Sequence, residues 1–238
     1  MAARPKALIL DYTGVITVPL SMGGPDPEPA APSSVASDAP PSGPESDVAD
    51  AGASIRRLRA LMAHELDNPD PNGLWNRLER GEAPLADLLE QIEAAVPGAG
   101  VFFAGEGPAS LMAAIAVRPD VIDRMRAWKS AGVAQALLTN NVAEWRPLWT
   151  ANLVAAGGYD LFNVVIDSSV VGMRKPEPAI YEHTVDALRS FVPGLTMAEC
   201  VFVDDFVQNV AGAEAIGLPA LLATTDDTHW AVIDALFN

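Results

Sequence analysis

Apolar residues in this chain follow two rhythms, and the order in which they appear sets the expected fold. Ala7-Leu8-Ile9-Leu10 is a short continuous apolar run that stops at Asp11. A strand buried on both faces of a parallel sheet has this pattern. Further on, Ile55, Leu58, Leu61 and Met62 recur at helical spacing. Leu85, Leu88, Leu89 and Ile92 repeat it after Gly81 and Pro84. The region to about residue 114 is therefore expected to be helical, with no convincing strand.

Beyond Pro119 the two rhythms alternate. A helix through Val121, Met125 and Trp128 leads to an apolar run over residues 134–138 that ends at Thr139. Another helix follows, then a strand over residues 163–166 and a helix after Pro176. Val201-Phe202-Val203 ends at Asp204, and a helix, a strand over residues 219–222 and a last helix from Asp227 complete the chain. Such alternation predicts an α/β, Rossmann-like parallel sheet. One short strand cannot bury both its faces alone, so the first strand belongs to the later sheet and the helical stretch is an insertion. The expected organisation is a discontinuous core of residues 1–22 and 115–238 with a helical insertion over 51–114.

Residues 23–50 (GGPDPEPAAPSSVASDAPPSGPESDVAD) are rich in Pro, Ser and acids and hold no basic residue or large aromatic. They are expected to be a disordered, solvated insert. Their proline spacing would also suit a polyproline-binding partner, but a linker is the simpler reading.

Composition narrows the classes. With 238 residues, half of them apolar, the chain can bury a substantial core. A net charge of −16 argues against a nucleic-acid-binding surface, so an anionic substrate would need a local positive site. No apolar run approaches the roughly 18 to 20 residues of a membrane span, and MAARPKALILDY is a poor signal peptide, so a cytoplasmic protein is expected. The single cysteine, Cys200, excludes a disulfide framework and reads as a small buried hydrophobe.

Ligands of open α/β sheets sit outside the carboxyl ends of the strands. Three apolar runs here end in polar residues: Asp11, Thr139, and Asp204 with Asp205. A lone acid at a strand end is usually a turn former, whereas several around one crevice mark a candidate site. His64, His183 and His229 lack metal-ligand spacing and read as surface or helix residues. Arg56, Arg57 and Arg59 read as a solvated basic face, with contact to an anionic substrate as the alternative. Gly105-Glu106-Gly107 reads as a loop, not a phosphate-binding signature.

Four stretches, in order, resemble the motifs of the haloacid dehalogenase (HAD) superfamily. They are ALILDYTGV at residues 7–15, LLTNN at 137–141, GMRKPEP at 172–178 with Ile180-Tyr181, and VFVDD at 201–205 with Asn209. WNRLERGE at residues 75–82 also resembles the helical cap of the subfamily that includes epoxide-hydrolase N-terminal phosphatase domains. The resemblance implies a magnesium-dependent phosphatase or phosphotransferase that acts on a small phosphorylated metabolite through an aspartyl-phosphate on Asp11. It implies no nucleic-acid or membrane partner, and substrate identity and oligomeric state are not legible in it.

Each residue then has a role consistent with the resemblance. Asp11 supplies an anionic oxygen for in-line attack. Magnesium prefers oxygen ligands, and Asp11, the backbone carbonyl of Thr13, and Asp205 with support from Asp204 form the implied set. Lys175 offsets the acidic cluster and orients Asp11 and the phosphoryl group, while the Thr139 hydroxyl and the Asn140 backbone N–H donate to phosphoryl oxygens. Against these roles, Lys175 could be an ordinary solvated lysine and Thr139 a helix N-cap. Asn209 either steadies the fourth motif or is a plain helix residue.

Thr13 departs from the pattern, because most phosphatases of the superfamily carry a second aspartate there. An alcohol cannot replace a carboxylic acid near neutral pH, and acid–base help is worth roughly 10² to 10⁴ in rate, so slow turnover is expected. Two other readings stand beside the phosphatase: a 2-haloacid-dehalogenase-type hydrolase, which needs no metal, and a catalytically weakened binding protein. The adjacent Asp204 and Asp205 argue against the first.

Overall fold

Five parallel strands in the order β3-β2-β1-β4-β5 form the sheet of the computed structural model, which describes residues 5–18, 57, 60, 61, 64, 65, 68, 70–99 and 115–237. The expectations for residues 23–50, for Ile55, Arg56, Leu58, Arg59 and Met62, and for residues 105–107 lie outside the described residues. The strands are β1 (Ala7–Leu10), β2 (Ala134–Thr139), β3 (Val164–Asp167), β4 (Cys200–Asp204) and β5 (Ala220–Leu222). Helices among the described residues include α1 (Leu74–Glu79), α2 (Leu85–Ala95), α3 (Pro119–Ser130), α4 (Arg146–Ala155), α5 (Ser168–Val171), α6 (Pro178–Leu188), α7 (Val207–Ala215) and α8 (Thr228–Phe237).

β1 lies in the middle, with Ala7 level with Ala134 of β2 on one side and Cys200 of β4 on the other. This position explains its unbroken apolar run. Leu8 and Leu10 face a cluster with Val121, Met125, Trp128, Trp149, Leu153 and Trp230, contributed by α3, α4 and α8. Ala7 and Ile9 face a cluster with Ile180, Tyr181, Val185, Leu188 and Phe202, where α6 and α7 pack. Helices thus cover both faces, as a buried parallel sheet requires. The chain runs outward from β1 through β2 to β3, then returns to β4 on the other side. The switch point between β1 and β4 is where the strand-end crevice opens.

Residues 16–18 and 116–118 run side by side. Thr17 and Val117 form an antiparallel bridge, the Val18 N–H donates to the Ala116 carbonyl (3.0 Å), and the Arg118 N–H donates to the Ile16 carbonyl (2.9 Å). Between β1 and β2 in sequence, α1 and α2 bury Trp75, Leu78, Leu85, Leu88 and Ile92 in a third apolar cluster that also includes Val142, beyond β2.

Element ends differ from expectation by single residues, with local causes. β5 starts at Ala220 because Pro219 has no N–H to pair, although its carbonyl accepts from the Phe202 N–H. α8 starts at Thr228 because Asp227 sits at φ 60°, outside helical geometry. β3 runs on to Asp167, whose side chain then caps α5 by accepting from the Ser169 N–H (3.0 Å). Cys200 is buried, as its apolar surroundings predict. No helix among the described residues is long and apolar enough to cross a membrane.

Candidate active site

The carboxyl ends of β1 and β4 bring Asp11, Asp204 and Asp205 together, one carboxylate oxygen of each lying within 4.8 Å of the others. Lys175, in the loop between α5 and α6, reaches into this cluster and is 1% exposed. Its Nζ donates to Asp204 Oδ2 (2.6 Å) and the Leu138 carbonyl (2.9 Å), and pairs with Asp11 Oδ1 (2.8 Å). The three ammonium protons therefore have three acceptors. Lys175 is a buried structural cation, not a solvated one.

Three carboxylates face one ammonium, so the cluster carries excess negative charge. Burial pushes Asp11 up to about 8, with Lys175 opposing and the charges of Asp204 and Asp205 adding to the rise. Burial and the adjacent Asp204 push Asp205 up to about 6. For Lys175, burial alone would lower the pKa, but Asp11 and Asp204 outweigh it and hold the ammonium above its ordinary range.

The two adjacent aspartates differ in their freedom. Asp204 Oδ1 accepts from the Phe206 N–H (2.8 Å) and Asn209 Nδ2 (2.9 Å), while Oδ2 takes Lys175. Asn209 thus steadies the fourth motif. Asp205 Oδ1 is buried without a hydrogen-bond partner among the described residues, the condition of an oxygen awaiting a cation. The turn over Tyr12–Ile16, closed by the Thr17 N–H on the Tyr12 carbonyl (3.0 Å), carries Gly14 at φ 77° against the Asp205 carboxylate. Thr13 is half-buried in this turn with an extended backbone (φ −74°, ψ 132°). The donor set and its charge fit a magnesium ion.

Thr139 is buried at the end of β2, and its hydroxyl lies 3.4 Å from the Asn140 carbonyl, a long contact that is not an N-cap. Asn140 holds Lys175 by its backbone: Oδ1 accepts from the Lys175 N–H (2.9 Å) and Nδ2 donates to the Lys175 carbonyl (2.9 Å). The expected role of Asn140 concerned its backbone N–H, and its side-chain grip on Lys175 was not anticipated.

Glu79, Arg174 and Asp167 were not singled out in the sequence. Glu79, at the end of α1, accepts from Asn140 Nδ2 (3.1 Å) and Arg174 Nε (2.6 Å). Burial pushes Glu79 up, and the Arg174 charge opposes that rise. Asp167 lies level with Thr139 at the end of β3, buried, with Arg146 Nε 3.6 Å from its Oδ2. Glu79 falls inside the WNRLERGE stretch and Asp167 follows an apolar run, so each had a signal. The histidines stay away from this centre: His64 and His183 are exposed, and His229 is buried beside Trp230, accepting from the Thr224 N–H. Arg57 is exposed.

The haloacid dehalogenase-like hydrolase family matches residues 5–217, and the chain belongs to that family. Sesquiterpene phosphatase astK of Aspergillus oryzae is 29% identical over 182 residues, covering 74% of this chain and 82% of that protein. Phosphatase MT3486 of Mycobacterium tuberculosis is 32% identical over 106 residues, and bifunctional epoxide hydrolase 2 of Rattus norvegicus is 30% identical over 114. These last two matches cover 44% and 47% of this chain and 45% and 19% of the relatives. Among solved structures, a HAD-like hydrolase of Porphyromonas gingivalis superposes with a TM-score of 0.58 at 18% identity, covering 98% of both chains. A HAD family enzyme of Bacteroides thetaiotaomicron, crystallised with magnesium and inorganic phosphate, superposes with a TM-score of 0.60 at 16% identity, covering 95% of this chain and 98% of that one. At such identities the likeness concerns the fold.

Proposed function

We propose that the protein is a magnesium-dependent phosphatase that acts on a small phosphorylated metabolite through an aspartyl-phosphate on Asp11. The observation that carries this reading is Lys175, clamped between Asp11 and Asp204 with the unpartnered Asp205 oxygen beside them. The phosphatases among the relatives support it. Asp11, Asp205 and the Thr13 carbonyl, with Asp204 behind them, would hold the magnesium ion. A bound ion would supply charge neutralisation for the phosphoryl oxygens and would favour the ionised form of Asp11, which burial pushes up to about 8 without it.

The residues divide the chemistry as follows. Asp11 attacks phosphorus with its carboxylate oxygen, an O–P bond forms to Asp11, and the ester O–P bond breaks with its electrons going to the leaving oxygen. Lys175 keeps Asp11 oriented and offsets the charge that builds at the phosphoryl group, to which Thr139 and the Asn140 N–H donate. Thr13 offers no acidic proton, so the leaving oxygen takes its proton from water. A water molecule then attacks phosphorus and gives up a proton to solvent, the Asp11 O–P bond breaks with its electrons returning to the carboxylate, and inorganic phosphate leaves. The first proton transfer lacks a positioned acid and the second a positioned base, which makes the enzyme slow.

The division into a core of residues 1–22 and 115–238 and a helical cap within 51–114 belongs to this proposal. The bridged ends of the insertion and the separate apolar cluster of α1 and α2 support it. A panel of phosphomonoesters assayed with magnesium and with chelator tests the function. Phosphate release that needs magnesium is expected. Turnover indifferent to chelator, or none on any phosphomonoester, would contradict it, and metal-free release of halide from a 2-haloacid would support the dehalogenase reading instead.

A further inference from the structure

Glu79, Arg80 and Gly81 are consecutive, and each meets the core by a different device. Gly81, at φ 68°, lies so close to α5 that a Cβ there would stand 2.3 Å from the Ser169 carbonyl oxygen. Arg80 pairs with Glu177 (2.9 Å) and also donates to the Pro71 carbonyl and to Glu82. Glu79 goes deepest and is 7% exposed.

Its carboxylate is shared between the inserted helix and the active-site loops. Oε1 accepts from Trp75 Nε1 (2.9 Å), one turn earlier on α1. Oε2 accepts from Arg174 Nε (2.6 Å) and Asn140 Nδ2 (3.1 Å). Arg174 directly precedes Lys175, and Asn140 holds both backbone polar groups of Lys175. An ionised carboxylate only accepts hydrogen bonds, so it faces the NH₂ end of the Asn140 amide and leaves Oδ1 for the Lys175 N–H. The second Asn140 proton and the Arg174 charge are both satisfied by one oxygen. Removing that charge leaves a largely buried guanidinium without its partner and the Asn140 amide less constrained.

We infer that Glu79 is a positioning residue: from the inserted helix it fixes Asn140 and Arg174, and through them the backbone of Lys175. This inference rests on the phosphatase reading for its kinetic consequence but not for its structural one. Docking of α1 then completes the active site, and any displacement of the helix releases the lysine loop.

The test compares Glu79→Gln with Trp75→Phe, which removes the other hydrogen bond to the same carboxylate and leaves those from Asn140 and Arg174 in place. Hydrogen exchange at the Lys175 amide, whose acceptor is Asn140 Oδ1, should quicken about tenfold in Glu79→Gln, the scale of one charge-assisted hydrogen bond. It should stay within about twofold in Trp75→Phe. With p-nitrophenyl phosphate, kcat should fall about tenfold in Glu79→Gln while KM stays within about twofold, and Trp75→Phe should keep kcat. Should Glu79→Gln fail to fold because Arg174 is stranded, the double variant Glu79→Gln/Arg174→Gln is read against Arg174→Gln alone for the same excess exchange. Unchanged exchange at Lys175, or equal acceleration by Trp75→Phe, overturns the inference. Absence of wild-type hydrolysis would sink the phosphatase reading while the exchange comparison still decides the role of Glu79.

Discussion

Gly14 and Asp205 are in such close contact that a Cβ on Gly14 would lie 2.1 Å from Asp205 Oδ2. The backbone adds a second constraint, since φ 77° is a region that side chains other than glycine enter at a cost of roughly 1–2 kcal/mol. Gly14→Ala must therefore displace Asp205 or unwind the turn that follows Asp11. We expect the variant to lose the rise in melting temperature that magnesium gives the wild type. Its turnover should fall by about 10²-fold, the penalty for an ångström of misplacement. A magnesium titration of both quantities checks this, and a variant that binds magnesium like the wild type would refute the packing argument.

Asp205 is a burden on the metal-free protein. Its folded pKa, about 6, lies above the ordinary 3.8, so folding favours its protonated form. The penalty is absent below about pH 4, grows between pH 4 and 6, and is complete above that. Asp205→Asn should accordingly stabilise the magnesium-free protein by about 1–2 kcal/mol at pH 7.5, after discounting for partial exposure, and by nearly nothing at pH 3.5. In magnesium the order should reverse. Denaturant melts at the two pH values, with and without the ion, give the comparison. A variant less stable than wild type in chelator at pH 7.5 would show that burial and the Asp204 charge impose no such penalty.

Much of this site was legible because a parallel sheet puts its ligands in a predictable place. Asp11, Thr139 and Asp204 end apolar runs, and such runs read directly as buried strands. Lys175 belongs to no strand, and only its motif placed it among the acids. Asp167 is not legible as a strand-end carboxylate because the apolar run of the third strand stops at Ile166, one residue short of the strand's end. Glu79 meets partners 61 and 95 residues away in sequence, and no local rhythm encodes such a contact. The spacing of Leu85, Leu88 and Ile92 did announce the apolar face of α2, since helical period is a local property.

Thr13 is expected to limit turnover. It stands half-buried two residues from Asp11, where an aspartate would supply a proton to the leaving oxygen and later take one from water. Wild-type protein should hydrolyse p-nitrophenyl phosphate much faster than alkyl phosphates. Thr13→Asp should speed alkyl-phosphate hydrolysis about tenfold or more and help the activated ester less. Steady-state rates on the two substrate types decide it. Equal slowing of both by Thr13→Asp would mean that a missing acid at this position does not limit turnover.

Asp11 bears the central claim, and the slow hydrolysis expected with Thr13 in place of an acid should let an aspartyl-phosphate accumulate. Wild-type protein mixed with p-nitrophenyl phosphate and magnesium, then quenched in acid within the first turnover, should carry one added phosphoryl group on the peptide containing Asp11. Hydroxylamine should remove the group, as it does from an acyl phosphate, and Asp11→Asn should show neither the group nor more than a trace of turnover. Release of p-nitrophenol in that first turnover with no phosphoryl group on Asp11, or an Asp11→Asn variant that keeps more than about a tenth of the wild-type rate, would contradict the account.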